Sequence, residues 1–175
     1  MNIISVPISR ESTFFLQVYS LYEASFPEEE RRTLDQLEKC FKSPHYRLEA
    51  YFLSDIFVAF VEYWILDTFV YIEHLSVCPE FRGKSIGKKI MKDIALLNVP
   101  IFLEIELLTD EVTKQRYHFY KNLNFEIVNI QYFQPSYGEG KSSIELLLLA
   151  SNYDVKNDVS EVIEIIFSNV YHKLK

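Results

Sequence analysis

Apolar residues along the chain recur at two spacings, one helical and one alternating, and the switch between them marks the elements. Residues 2–8 read as a short strand. Phe14, Phe15, Val18, Leu21 and Tyr22 then fall at helical spacing, which predicts a helix over 11–24 that Pro27 ends. A charged run, Glu28-Glu29-Glu30-Arg31-Arg32, reads as a solvated loop that could gate a binding site. Leu34, Leu37, Cys40 and Phe41 predict a second short helix. The pattern then changes. Residues 46–53 and 56–66 are rich in aromatic and β-branched side chains and are split by Ser54-Asp55, which predicts a hairpin. Asp67-Thr68 makes another tight turn before a strand over 69–77.

Ile86, Ile90, Ile94 and Leu97 predict an amphipathic helix that Pro100 stops. A strand over 101–108 follows, then a helix over 110–123 with Val112, Phe119 and Leu123 facing inward. Asn124 is placed to end that helix in a left-handed conformation. Strands over 125–133 and 143–149 flank a loop that contains Pro135, Gly138 and Gly140. Val155, Val159, Val162, Ile166, Val170 and Leu174 predict a final helix over 154–174. The order is β-α-α-β-β-β-α-β-α-β-β-α. It implies a mixed α+β fold: a mostly antiparallel sheet of six or seven strands, one central β-α-β crossover, and flanking helices.

Composition narrows this picture. The 175 residues, 49% hydrophobic, fit one domain over 1–150 with a helical extension over 151–175. Fourteen Phe and twelve Tyr against six Pro and four Gly exclude a mainly disordered chain. No apolar run reaches the roughly 18 residues of a membrane helix. MNIISVPISR lacks the basic-then-apolar order of a secretory signal. Cys40 and Cys78, far apart and outside any CxxC, point away from a disulfide scaffold or a metal site and toward a reducing cytoplasm. A net charge of −7 argues against general affinity for nucleic acid. The apolar stripe of the extension must be covered, by its own domain or by a second subunit in a homodimer.

One stretch departs from the acidic balance. Residues 81–92 carry Arg82, Lys84, Lys88, Lys89 and Lys92 and no carboxylate. They follow a predicted strand and open the helix that begins near Ile86. A helix N-terminus exposes unpaired N–H groups and partial positive charge. Gly83, Ser85 and Gly87 let those groups approach an anion, so the element reads as a pyrophosphate site. A P-loop would need four residues between its glycines and a Ser or Thr after the lysine. Here three residues separate Gly83 from Gly87, and Lys89 follows Lys88. A GxGxxG turn is also missing. Coenzyme A binding is the third reading of this element.

Arg82-Gly83-Lys84-Ser85-Ile86-Gly87 resembles the acyl-CoA signature [Q/R]-x-x-G-x-[G/A] of the GNAT family of N-acetyltransferases, with Ser85 where Gly is usual. Phe119-Tyr120-Lys121-Asn122-Leu123-Asn124-Phe125 is similar to the family's FYxxxGF, with Asn124 for Gly. The two motifs stand in the family's order, and the element order agrees over residues 10 to 150. The resemblance implies acetyl transfer from acetyl-CoA to an amine of a small molecule or protein, on a fourth strand that carries a bulge. The N–H groups near Leu75 and Val77 would face the thioester. Arg82, Gly83, Lys84, Ser85, Ile86, Gly87 and Lys88 would hold the pyrophosphate. Tyr120 would be the general acid. For the base the residues offer Glu73, acting through a water, while Glu104 and Glu106, with the aromatic Tyr137, are candidates to line an acceptor pocket. Glu104 and Glu106 could instead line a solvated sheet face or pair with Arg116. The rival to an enzyme is a CoA-binding sensor or interaction module, which Ser85 favours.

Overall fold

The computed structural model of the chain describes residues 3–138 and 140–172, so Leu174 of the expected stripe lies outside the described residues. The elements run β1 (Ile3–Pro7), α1 (Phe15–Ser25), α2 (Leu34–Phe41), β2 (Tyr46–Leu53), β3 (Ile56–Leu66), β4 (Phe69–Val77), α3 (Ile86–Ala95), β5 (Ile101–Glu106), α4 (Glu111–Lys121), β6 (Glu126–Gln134), β7 (Ile144–Ser151) and α5 (Ser160–Ile166). The strands form a seven-stranded sheet in the order β1-β2-β3-β4-β5-β7-β6. Pairs β1/β2, β2/β3, β5/β7 and β6/β7 are antiparallel, and α3 connects β4 to its neighbour β5. The α+β architecture expected from the pattern is the one adopted. The chain divides into two compact units, Met1–Ile65 with Ile72–Leu97, and Leu66–Tyr71 with Asn98–Lys175.

In the first unit the β2–β3 hairpin turns at Ser54 and Asp55, whose φ angles of 47° and 68° are both left-handed. That is the handedness a two-residue hairpin loop needs to match the strand twist. Val58, Ala59, Phe60 and Val61 are all buried, so β3 is covered on both faces. Helix α1 covers it with Phe15, Val18, Leu21 and Tyr22. Helix α2 opens with a capping box: Thr33 Oγ1 accepts the Gln36 N–H at 3.3 Å, and the Thr33 N–H donates to the Gln36 side-chain oxygen at 2.9 Å. Helix α3 buries Ile86, Ile90, Met91 and Ile94, close to the predicted stripe; Leu97 lies just past its end and is exposed.

In the second unit α4 differs from expectation in its rotation. Asp110 caps it through the Thr113 N–H at 2.8 Å, and Thr113 and Tyr120 face inward while Val112 is 64% exposed. Placing Thr113 over the cap fixes the helix's angle, and a residue beside it must point out. Asn124 ends the helix at φ 63°, as its position predicted. The last helix starts later than its periodicity implied. Asp158 accepts from the Ser160 N–H at 2.9 Å and from the Ser160 hydroxyl at 2.7 Å, so regular helix begins at Ser160 and Val155 is left exposed. From Phe167 to His172 it loosens into a π-type turn. Ile166, Val170 and Tyr171 are buried, with the Phe167 ring 5.7 Å from Tyr132 and the Tyr171 ring 5.4 Å from Tyr137. Val159, Ile166 and Val170 of the expected stripe are therefore buried within the chain itself.

Candidate active site

The loop that leaves β4 is shaped by its own backbone. A short 3-10 turn over Pro79–Phe81 closes with the Phe81 N–H on Cys78 O at 2.9 Å. The Arg82 Nε then donates back to Val77 O at 3.2 Å, and Lys84 lies over the Phe81 ring at 4.8 Å. Gly83 sits at φ 74°, where an added Cβ would meet nothing within 4 Å. Ser85 follows at φ 61° and ψ 16°, directly before α3. Its hydroxyl does not cap the helix. The first N–H groups of α3 are thus not closed off by a side chain, and residues 82–85 are exposed. An uncapped helix head behind an open glycine is what an anion needs.

The basic patch is narrower than the sequence implied. Lys89 is engaged by Asp93 one turn on, at 2.5 Å and 2.6 Å, which offsets its charge. Arg82, Lys84, Lys88 and Lys92 remain exposed. Just before this loop, Leu75 and Val77 are half-buried on β4.

Glu73 is not on open ground. Its side chain is fully buried, and Oε1 accepts from Arg32 Nε at 3.0 Å and Nη2 at 2.8 Å. Oε2 accepts from the Trp64 indole N–H at 2.7 Å. Beside it His74 Nδ1 contacts Glu62 Oε1, and His74 Nε2 donates to Glu30 O at 2.8 Å. The Tyr46 hydroxyl donates to Glu62 Oε2 at 2.6 Å. The Glu62, Glu73 and His74 donor atoms lie within 4.8 Å of one another, a spacing a cation could bridge. Here Arg32 and the imidazole supply the positive charge instead. Glu73 and His74, consecutive on β4, both reach this cluster. Burial works to lower the His74 pKa, but the Glu62 carboxylate outweighs it and the pKa rises. Burial likewise pushes Glu62 up, and His74 pulls it below the ordinary range. The charge run at Arg31-Arg32, read from sequence as solvated loop, includes this buried Arg32; no local pattern signals it.

The remaining candidates lie in the second unit. Tyr120 is 8% exposed and its hydroxyl makes no hydrogen bond with a described residue. Burial is the main cause that lifts its pKa to about 12. Glu106 is ion-paired with Arg116 at the surface. Glu104 accepts from the hydroxyls of Tyr132 and, at 3.3 Å, Tyr171. Tyr137 is buried, and its hydroxyl receives the Gln134 Nε2 at 3.0 Å. Tyr71 joins the cluster through Tyr171 at 2.8 Å. Glu104 and Tyr137 both meet Tyr171 of the C-terminal turn, and Glu106 pairs with Arg116.

Residues 48–127 match the family described as Acetyltransferase (GNAT) domain. The chain is 23% identical over 157 residues to YjbC of Bacillus subtilis (strain 168), named for an acetyltransferase, covering 87% of this chain and 80% of that one. A solved Bacteroides thetaiotaomicron protein, described as a GNAT-family acetyltransferase, is 28% identical, covers 96% of this chain and 98% of its own, and superposes with a TM-score of 0.87. Arabidopsis thaliana Naa50, solved with the bisubstrate analogue CoA-Ac-MVNAL, is 16% identical at a TM-score of 0.66, covering 87% of this chain and 100% of its own.

Proposed function

We propose, from the GNAT acetyltransferase domain matched over residues 48–127, that the chain moves the acetyl group of acetyl-CoA onto a primary amine by direct attack. The observation that carries this reading is the uncapped head of α3 behind Gly83 and Ser85. Amides over 83–88, with Arg82, Lys84 and Lys88, take the pyrophosphate. Backbone N–H groups near Leu75 and Val77 stabilise the oxyanion as the amine adds to the thioester carbonyl. The C–N bond forms, the C–S bond breaks, and the thiolate needs a proton. Tyr120 supplies it. Its hydroxyl is committed to no described partner, and a pKa near 12 keeps it protonated through the physiological range. The amine attacks as its free base and the adduct sheds its proton to a water, with Glu73 as the base behind that water; three N–H donors, two from Arg32 and one from Trp64, hold its carboxylate in place. Two free thiols, Cys40 and Cys78, suit a reducing cytoplasm. No helix among the described residues is long and apolar enough to cross a membrane.

A free-thiol assay with acetyl-CoA and a panel of polyamines, aminoglycosides and peptides tests the reading. Thiol release that requires both acetyl-CoA and one of these amines is expected. Calorimetric binding of acetyl-CoA with no release across the panel would favour the second reading, a CoA sensor, for which the Cβ of Ser85 at the phosphate mouth is the specific observation.

A further inference from the structure

The segment between α1 and α2 reaches β4 by polar contacts that cluster on one stretch of that strand. Arg32 binds Glu73 through two nitrogens. Glu30 O receives His74 Nε2 at 2.8 Å. Ser25 and Ser76 hydroxyls meet at 2.7 Å. The Arg32 N–H, in turn, donates to the Tyr22 hydroxyl at 2.7 Å. Residues 73, 74 and 76 interleave with Leu75 and Val77. Glu28 and Glu29 are exposed and Arg32 is 3% exposed, and the Phe26 ring lies 4.4 Å from His74, so the segment is fastened by Phe26 at its start and by Arg32 at its end.

We propose that Arg32 and His74 are positioning residues for acetyl transfer: they pin the 27–32 crossing to β4 and hold the strand so that the N–H groups of Leu75 and Val77 point at the thioester. The inference rests on the acetyl-transfer reading above. Both ring nitrogens of His74 face acceptors, a carboxylate on one side and a carbonyl on the other. An imidazole satisfies two such partners together as the imidazolium. The groups facing it are Glu62 from β3, Glu73 from its own strand, Arg32 and the Glu30 carbonyl from the crossing, Tyr22 and Phe26 from α1 and its end, and, through Glu62, Tyr46 from β2. The clamp is complete below the ordinary histidine pKa of about 6.5 and weakens as pH rises through the higher folded value. Misplacing an oxyanion donor by about 1 Å costs on the order of a hundredfold in rate.

The experiment compares wild type, Arg32→Met, Arg32→Lys, the double variant Arg32→Met/Glu73→Leu, and His74→Gln. Turnover is measured with acetyl-CoA and the panel amine that the wild type uses best, together with acetyl-CoA Kd and Tm. Arg32→Met strands a buried carboxylate and is expected to lower Tm. The double variant replaces the pair by apolar groups of similar bulk and is expected to recover part of the Tm, since the Trp64 indole N–H then lacks its acceptor. It also removes Glu73, so positioning is read on the single variants: kcat of Arg32→Met should fall at least about tenfold while acetyl-CoA Kd holds within twofold, and Arg32→Lys should regain part of it. Undiminished kcat in Arg32→Met, or its recovery along with Tm in the double variant, overturns the proposal. His74→Gln should abolish the alkaline decline of kcat; an unchanged pH profile counts against the clamp. Two readouts need no acceptor. Nitrogen-15 NMR should show protons on both ring nitrogens of His74 near neutral pH, and the Leu75 and Val77 amide resonances should move in the double variant. A neutral ring or unmoved amides overturn the inference, whereas absent turnover in the wild type with these signatures intact indicts only the acetyl-transfer reading.

Discussion

Replacing Ser85 by Gly tests the loop's design in both stability and binding. Ser85 holds φ 61° and ψ 16° immediately before α3. In that region the Cβ of an L-residue crowds the following carbonyl, at a cost of roughly 1–2 kcal/mol relative to Gly. Removing the Cβ recovers this, but glycine's freedom in the unfolded chain takes back about 0.4–1 kcal/mol. No helix cap is lost, because the Ser85 hydroxyl makes none. Ser85→Gly should therefore stabilise the fold by roughly 0.5–1 kcal/mol, a rise of about 1–4 °C in Tm for a chain of this size. On the pyrophosphate reading of the α3 head, loss of the Cβ opens the approach of the phosphates, so acetyl-CoA should bind about two- to tenfold more tightly. Differential scanning calorimetry and isothermal titration read the two effects separately. Ser85→Ala, which keeps the Cβ and deletes the hydroxyl, should show neither gain. A Ser85→Gly variant that melts lower than wild type, or that binds acetyl-CoA more weakly, refutes the reasoning: the hydroxyl would then be the phosphate ligand and the Cβ harmless.

Tyr120→Phe removes a hydroxyl with no described partner, so thermal stability should change little, while kcat in the thiol assay falls by roughly a hundred- to ten-thousandfold at nearly constant acetyl-CoA affinity. Gly83→Ala meets no neighbour, so its stability cost is only the strain of φ 74°, about 1 kcal/mol, yet titration should show acetyl-CoA affinity down about tenfold because the new methyl fills the open side of the loop. Glu104→Gln weakens the acceptor for the Tyr132 and Tyr171 hydroxyls. It should cost about 1–3 kcal/mol and speed hydrogen exchange over 160–171 before it affects the rest of the chain.

Local chemistry was the legible part of the sequence. The Ser54-Asp55 turn, the Ile86-Ile90-Ile94 face and the left-handed Asn124 each follow from residue type and spacing over a few positions, and each is present as read. The α4 face was misjudged because a cap four residues long set the helix's rotation, and hydrophobicity alone placed Val112 inward. The late start of α5 has the same origin in Asp158. The buried charge cluster was not legible at all. Arg32 and Glu73 are 41 residues apart, and the chain around Arg32 has the composition of an ordinary solvated loop. Only the fold brings Trp64, Tyr46 and Glu62 from neighbouring strands around them. Glu73 was legible only as a candidate base on a strand; its partners Arg32 and Trp64 were not.

The central claim is that backbone amides at the start of α3 receive the pyrophosphate of acetyl-CoA. Amide chemical shifts followed by nuclear magnetic resonance during an acetyl-CoA titration measure it residue by residue. Gly83, Lys84, Ser85, Ile86, Gly87 and Lys88 should move together, saturate with one common Kd, and move less with a truncated carrier, such as acetyl-pantetheine, that lacks the pyrophosphate. Saturable binding that leaves these six amides in place would contradict the account.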